Sequence, residues 1–185
     1  LPIILFAIGW LKFAIAVLLI IILILSFYKT IKNDEFDELR INHQTFLTLL
    51  IVFISTFLWV YLSGIGGFSA QNWDFHGRNA ILRDLINHPW PVVYDYSNQP
   101  EMLSIFGPNA SLVYYFGFFL PAAIIGKIFG WYAANIFLFL WACLGVIITS
   151  LLIFKFVKKI NIVIIIAFIF FSGMDILGTI VFGET

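Results

Sequence analysis

The chain has 185 residues, 62% of them hydrophobic and only 11% charged, with ten basic and ten acidic side chains. Soluble domains are about half apolar and a quarter charged, so at a mean hydropathy of +1.05 much of this chain must be solvated by lipid. Zero net charge indicates no polyanionic partner, nucleic acid included, and a single cysteine, Cys143 inside an apolar run, excludes an internal disulfide.

Residues 1–28 are apolar apart from Lys12. The pattern predicts a membrane span over Phe13 to Tyr28, with the first dozen residues in the interface. The loop 29–45 follows, carrying Lys29, Lys32 and Arg40, and then a second span over 46–63, "FLTLLIVFISTFLWVYLS". Gly64, Gly66 and Gly67 form its flexible exit.

Beyond the glycines the character changes. Asp74, His76, Arg78, Arg83, Asp84 and His88 all fall between residues 74 and 88. Asp74 to Asn87 reads as a helix, with Ile81, Leu82, Leu85 and Ile86 on one stripe that predicts a helix lying on a membrane surface. Pro89 and Pro91 end it, because proline cannot extend the hydrogen-bond ladder.

The stretch 110–126, "ASLVYYFGFFLPAAIIG", is apolar but interrupted by Gly117 and Pro121. Two further spans are predicted over 131–154 and 160–180, separated by Lys155, Lys158 and Lys159. Short cytoplasmic loops are rich in Lys and Arg. If 110–126 crossed the membrane, the two basic loops would lie on opposite sides. If it lies in the interface, both are cytoplasmic and 64–130 forms one long outer loop, the more economical arrangement. The expected fold is therefore all-α, a polytopic transmembrane helix bundle with interfacial helices in an outer loop. The chain starts at Leu1, shows no signal-peptide pattern and ends beside an apolar run, and it reads as a piece of a longer polytopic protein.

Two carboxylates draw attention. Asp74 opens the polar helix, where the macrodipole and unpaired amides favour an acid. Its plain reading is a cap, with Arg78 as its i+4 partner and His76 as a solvated neighbour. A metal reading with His76 and His88 rests on spacing that is common by chance. Asp175 interrupts the fourth apolar segment, and an acid in hydrocarbon usually faces a cavity or a site. Sixteen residues beyond Lys159, at about 1.5 Å each, place it roughly 24 Å across, near the outer face with Asp74. Capping or loop initiation is its plain reading. Arg78, Arg83 and Lys127 supply positive charge suited to a phosphate.

The order of these features resembles the N-terminal part of the GT-C superfamily of polytopic glycosyltransferases, which includes protein O-mannosyltransferases and lipid A aminoarabinose transferases. The likeness runs from about residue 46 to 178. Its acidic motif is "NWDFHGRNAILRDLI", its turn "HPWPVVY", its second interfacial helix "SLVYYFGFFLPAAIIGKIFG", its basic inner end "KFVKK" and its second aspartate that of "GMDI". The approach "MLSIFGPN" lacks the lysine that the superfamily carries before the second interfacial helix, and no acid adjoins Asp74.

The resemblance implies an extra N-terminal span and cytoplasmic loop over 1–45, and a GT-C-like module over 46–185 with its outer loop at 64–130. It implies a bacterial cytoplasmic membrane enzyme that takes a sugar from a polyprenyl-phosphate donor and passes it to an outer-face acceptor. Asp74 would be the catalytic base and Asp175 would help bind acceptor, donor or a divalent metal. Arg78, Arg83 and Lys127 would bind the donor phosphate, supported by His76, and the aromatic helix 110–129 would wall the isoprenoid groove among the membrane lipids. The competing classes are a transporter or flippase whose aspartates line a pathway, and an inactive homologue.

Overall fold

The computed structural model describes residues 1–33, 43–158 and 160–171. Seven helices occur among them: α1 Pro2–Trp10, α2 Phe13–Asn33, α3 His43–Leu62, α4 Asp74–Asn87, α5 Pro100–Phe106, α6 Leu120–Val157 and α7 Ile162–Phe171. Two short strands, β1 Val93–Asp95 and β2 Asn109–Ser111, pair antiparallel with Tyr94 opposite Ala110. The expectation of an all-α chain therefore holds in its helical character and misses this small sheet.

Among the described residues three segments are long and apolar enough to cross a membrane: Phe13–Lys32, Thr45–Leu62 and Phe116–Val157. The last is two helices in fact. Gly130 has φ 84 and ψ −179 within α6, a conformation that only glycine adopts readily. It separates a first part over residues 120–129 from a second over 131–157. Ten helical residues rise about 15 Å, half the hydrocarbon thickness, whereas the second part rises about 40 Å and suffices. The helix expected over 110–129 is helical only from Phe116, through a 3₁₀ turn Phe116–Phe119, because 109–111 is spent in the strand. Of the fourth expected span, α7 covers Ile162–Phe171, and 172–180 lie outside the described residues.

The chain divides into two compact units. One comprises 1–37 and 64–139, and its core gathers Leu82, Leu85, Val92, Phe116, Phe119, Leu120, Ala122, Ala123 and Leu138. The apolar stripe of α4 was expected to rest on lipid. It rests on protein instead: Leu82 and Leu85 are fully buried, and Ile81 and Ile86 pack beside them. The cover is the 3₁₀ turn and the first part of α6. At Gly126 a β-carbon would stand 2.5 Å from Ile86 Cδ1, so the missing side chain is what admits Ile86 so closely.

The short helix α1 belongs to this core. Leu11 is extended and ends it, and the Lys12 carbonyl then accepts the amides of Ile15 and Ala16 to start α2. Trp10 lies 5.2 Å from the Trp90 ring and 4.7 Å from Phe116. The N-terminal end of α2 is thereby held beside the 64–130 segment.

The second unit comprises 38–63 and 140–185. Within it Val52 of α3, Phe154 of α6 and Ile165 of α7 form a buried cluster, and Trp59 meets Phe168 edge-on at 6.1 Å.

Candidate functional site

The helix α4 carries most of the candidate residues, and its start is fastened to the glycine exit. Gln71 Nε2 donates to the Gly64 carbonyl at 2.8 Å, and Asn79 Nδ2 donates to Gln71 Oε1 at 2.9 Å. Gly66, at φ 83, lies against the Asn135 carbonyl, which a β-carbon would approach to 2.8 Å. The entry to α4 is thus pinned to the second part of α6.

Asp74 is the first helical residue, and Trp73 precedes it with no side-chain cap bond. The carboxylate makes no capping hydrogen bond. It is 62% exposed and pairs with Arg78 at 3.6 Å. An exposed pair of this kind stabilises a helix by only a few tenths of a kcal/mol, ~0.3–0.5. Arg78 also lies over the Phe75 ring at 5.1 Å, and His76 packs edge-on against Trp73 at 5.2 Å.

The phenols of Tyr114 and Tyr115 stand near this pair and hydrogen-bond to each other. That bond is the main force pushing the Tyr114 phenol above its ordinary pKa, followed by burial; the Asp74 charge adds to the push and Arg78 opposes it. Nothing in the local sequence marks these two tyrosines as neighbours of Asp74. Their nearness to Asp74 comes from the turn after β2, which carries no local signature.

Arg83 and Lys127 are in a different place. Together with Ile86, Asn87, Gly126, Gly130 and Trp131 they line a cavity of about 560 Å³. Arg83 is nine residues beyond Asp74, about 13 Å along the axis. Arg83 lies over the Trp131 ring at 5.1 Å. Lys127 Nζ donates to the carbonyls of Ile86 at 3.1 Å and His88 at 2.6 Å, and sits 5.4 Å from the Trp90 ring. The three cations expected to share one phosphate are split: Arg78 stays with Asp74, whereas Arg83 and Lys127 face each other at the far end of α4.

The turn after α4 is held by aromatic side chains. Trp90 Nε1 donates to the Leu85 carbonyl at 2.8 Å, and Tyr94 Oη donates to Asp84 Oδ2 at 2.6 Å. Burial, then that carboxylate, raises the Tyr94 phenol well above its ordinary value. Asp84 is therefore a structural acceptor. Asp95 accepts the Ser97 amide at 2.9 Å, and the Ser97 hydroxyl first, then that amide, hold its carboxyl below the ordinary pKa.

Asp175 lies outside the described residues. Among the described residues no group of three His, Cys, Asp or Glu is disposed to hold a metal ion. No protein-family model, curated protein or solved structure matches the chain.

Proposed function

We propose that the chain is the N-terminal part of a membrane glycosyltransferase that uses a polyprenyl-phosphate-linked sugar, with Asp74 as the general base. The reading is supported by one observation above others. A solvent-exposed carboxylate opens α4 with a guanidinium 3.6 Å away, and α4 leads through a Trp-Pro turn and a second short helix into a membrane-length helix. That is the order which the resemblance to GT-C enzymes implies.

In the proposed reaction the acceptor's O–H or N–H proton passes to the Asp74 carboxylate. The acceptor heteroatom bonds to the anomeric carbon as the bond from that carbon to the phosphate oxygen breaks. The electron pair leaves with the phosphate, whose charge Arg78 stabilises. Asp175 is the proposed second carboxylate. A transport site would favour an ionisable group near the membrane midplane. The described spans favour the enzyme, because 13–32, 45–62 and 131–157 hold no acidic residue and their lysines stand at their ends.

The test is sugar transfer from a polyprenyl-linked donor by the full-length protein, wild type beside Asp74→Asn at matched expression. Loss of the base lowers the rate by roughly 10²–10⁴-fold. Full activity in the variant removes Asp74 from the chemistry.

A further inference from the structure

We propose that the cavity between the C-terminal half of α4 and the Gly130 break binds the phosphate of an anionic glycerophospholipid, a site distinct from the one at Asp74. This inference stands without the transferase reading. It starts from charge. The lining contains Arg83 and Lys127 and no carboxylate or imidazole. Lys127 is held rigidly: two of its three N–H bonds go to the Ile86 and His88 carbonyls, which leaves the third free for an anion. Arg83 is set over Trp131 and forms no ion pair among the described residues, so its planar fork of donors is unspent. Asn87 lies one helical turn beyond Arg83 on the same face and adds a neutral donor.

Space is the second consideration. Gly126 and Gly130, one turn apart on the facing chain, present no side chain to the cavity, and its roughly 560 Å³ falls in the range of small-molecule sites, ~300–1,000 Å³. Depth is the third. The cavity opens where the membrane-length helix 131–157 begins, beside Ile128, Phe129 and Tyr132, which are 66%, 71% and 72% exposed. Apolar side chains bare beside a cationic pocket match a ligand with an anionic head and acyl chains. A headgroup phosphate would take Arg83, Lys127 and Asn87, while its chains lie along the exposed aromatic and aliphatic rim. With no carboxylate or imidazole in the lining and Asp74 about 13 Å from Arg83 along α4, a phosphate here is held and not turned over.

The experiment uses the full protein in nanodiscs and reads co-purifying lipid by native mass spectrometry at fixed ionic strength. Phosphatidylglycerol is titrated against phosphatidylcholine, and inorganic phosphate is added in a separate arm. Wild type is expected to retain phosphatidylglycerol in preference to phosphatidylcholine. Arg83→Gln, an exposed change that leaves the core intact, weakens that retention about tenfold or more. Asn87→Ala weakens it less, and Arg78→Gln leaves it unchanged. Equal retention of the two lipids, or an unaltered Arg83→Gln variant, overturns the proposal. Displacement of the lipid by millimolar inorganic phosphate also overturns it, since the site would then take the free ion. Glycosyl transfer is not read here, so a negative result leaves the role of Asp74 untouched, and loss of activity in Asp74→Asn leaves this site untouched.

Discussion

The Lys127 ammonium donates to the His88 backbone carbonyl at 2.6 Å, across 39 residues of sequence, and to the Ile86 carbonyl at 3.1 Å. Those carbonyls belong to the end of α4, where the helix leaves its last acceptors unpaired and its dipole is negative. One cation from α6 therefore closes α4 and ties it to the first part of α6. Lys127→Met should destabilise the fold by about 0.5–1.5 kcal/mol, because two carbonyls at the exposed end of α4 lose a charged donor. Thermal unfolding in detergent would measure it. An unchanged midpoint would mean that water replaces the lysine without loss.

The Tyr94–Asp84 bond makes a second prediction. Tyr94→Phe leaves the Asp84 carboxylate without its phenol and should cost about 1–3 kcal/mol. The pH dependence follows from the raised phenol, whose ordinary value is 10.0. The fold favours the neutral form, so this contribution is complete below pH 10. Above it the unfolded chain releases the proton more readily than the folded one, and stability falls as pH rises. Wild type should lose stability as pH rises above 10 more steeply than Tyr94→Phe. Parallel alkaline unfolding curves would show that the bond does not matter.

Much of α4 was legible in the sequence. An acid in its first turn and Pro89 and Pro91 beyond its end marked both limits, and the 3.6-residue period marked Leu82 and Leu85 as one face. The period could not say what covers that face. The cover is Phe116, Phe119 and Leu120, brought there by tertiary packing. The strands Val93–Asp95 and Asn109–Ser111 were not legible, since three residues are too few for alternation to show. Trp10 packing on Trp90 was equally hidden, a contact across eighty residues of chain. The division of the cations was partly readable: Arg78 and Arg83 are five positions apart, about 140° around a helix of 3.6 residues per turn. Only the facing Lys127 decides which arginine lines the cavity.

Gly130 sets the boundary between the short helix and the membrane-length one. Its φ of 84 and ψ of −179 suit glycine alone, and nothing crowds its α-carbon, so the strain of a substitution is purely conformational. Gly130→Ala should cost about 1–3 kcal/mol. The alternative is that the break straightens into a continuous helix, which would carry residues 120–129 away from α4. A stability loss without added helicity by circular dichroism supports the first outcome. An alanine variant as stable as wild type would show that the break is not built into the chain.

The last prediction concerns which segments share a face of the membrane. Trp10 packs on Trp90 and Phe116, so the start of α2 lies with the 64–130 segment, and Lys29 and Lys32 lie about 25–30 Å further along the helix. The 131–157 helix likewise starts at Trp131 beside the cavity and ends at Lys155 and Lys158, about 40 Å away. We expect both basic ends on the side opposite the polar segment, and the bias of Lys and Arg toward the cytoplasm predicts that this side is cytoplasmic. Single cysteines in a Cys143→Ala background test the arrangement in intact cells with a membrane-impermeant maleimide. Glu101→Cys, in exposed α5, should react from outside, and Lys32→Cys and Lys158→Cys should react only after the membrane is opened. Labelling of Lys158→Cys from outside would mean that the chain crosses the membrane once more between residues 64 and 130, and the first part of α6 would then have to be a span. Ten helical residues before a glycine break give it about 15 Å of reach against about 30 Å of hydrocarbon, so we expect Lys158→Cys to stay protected.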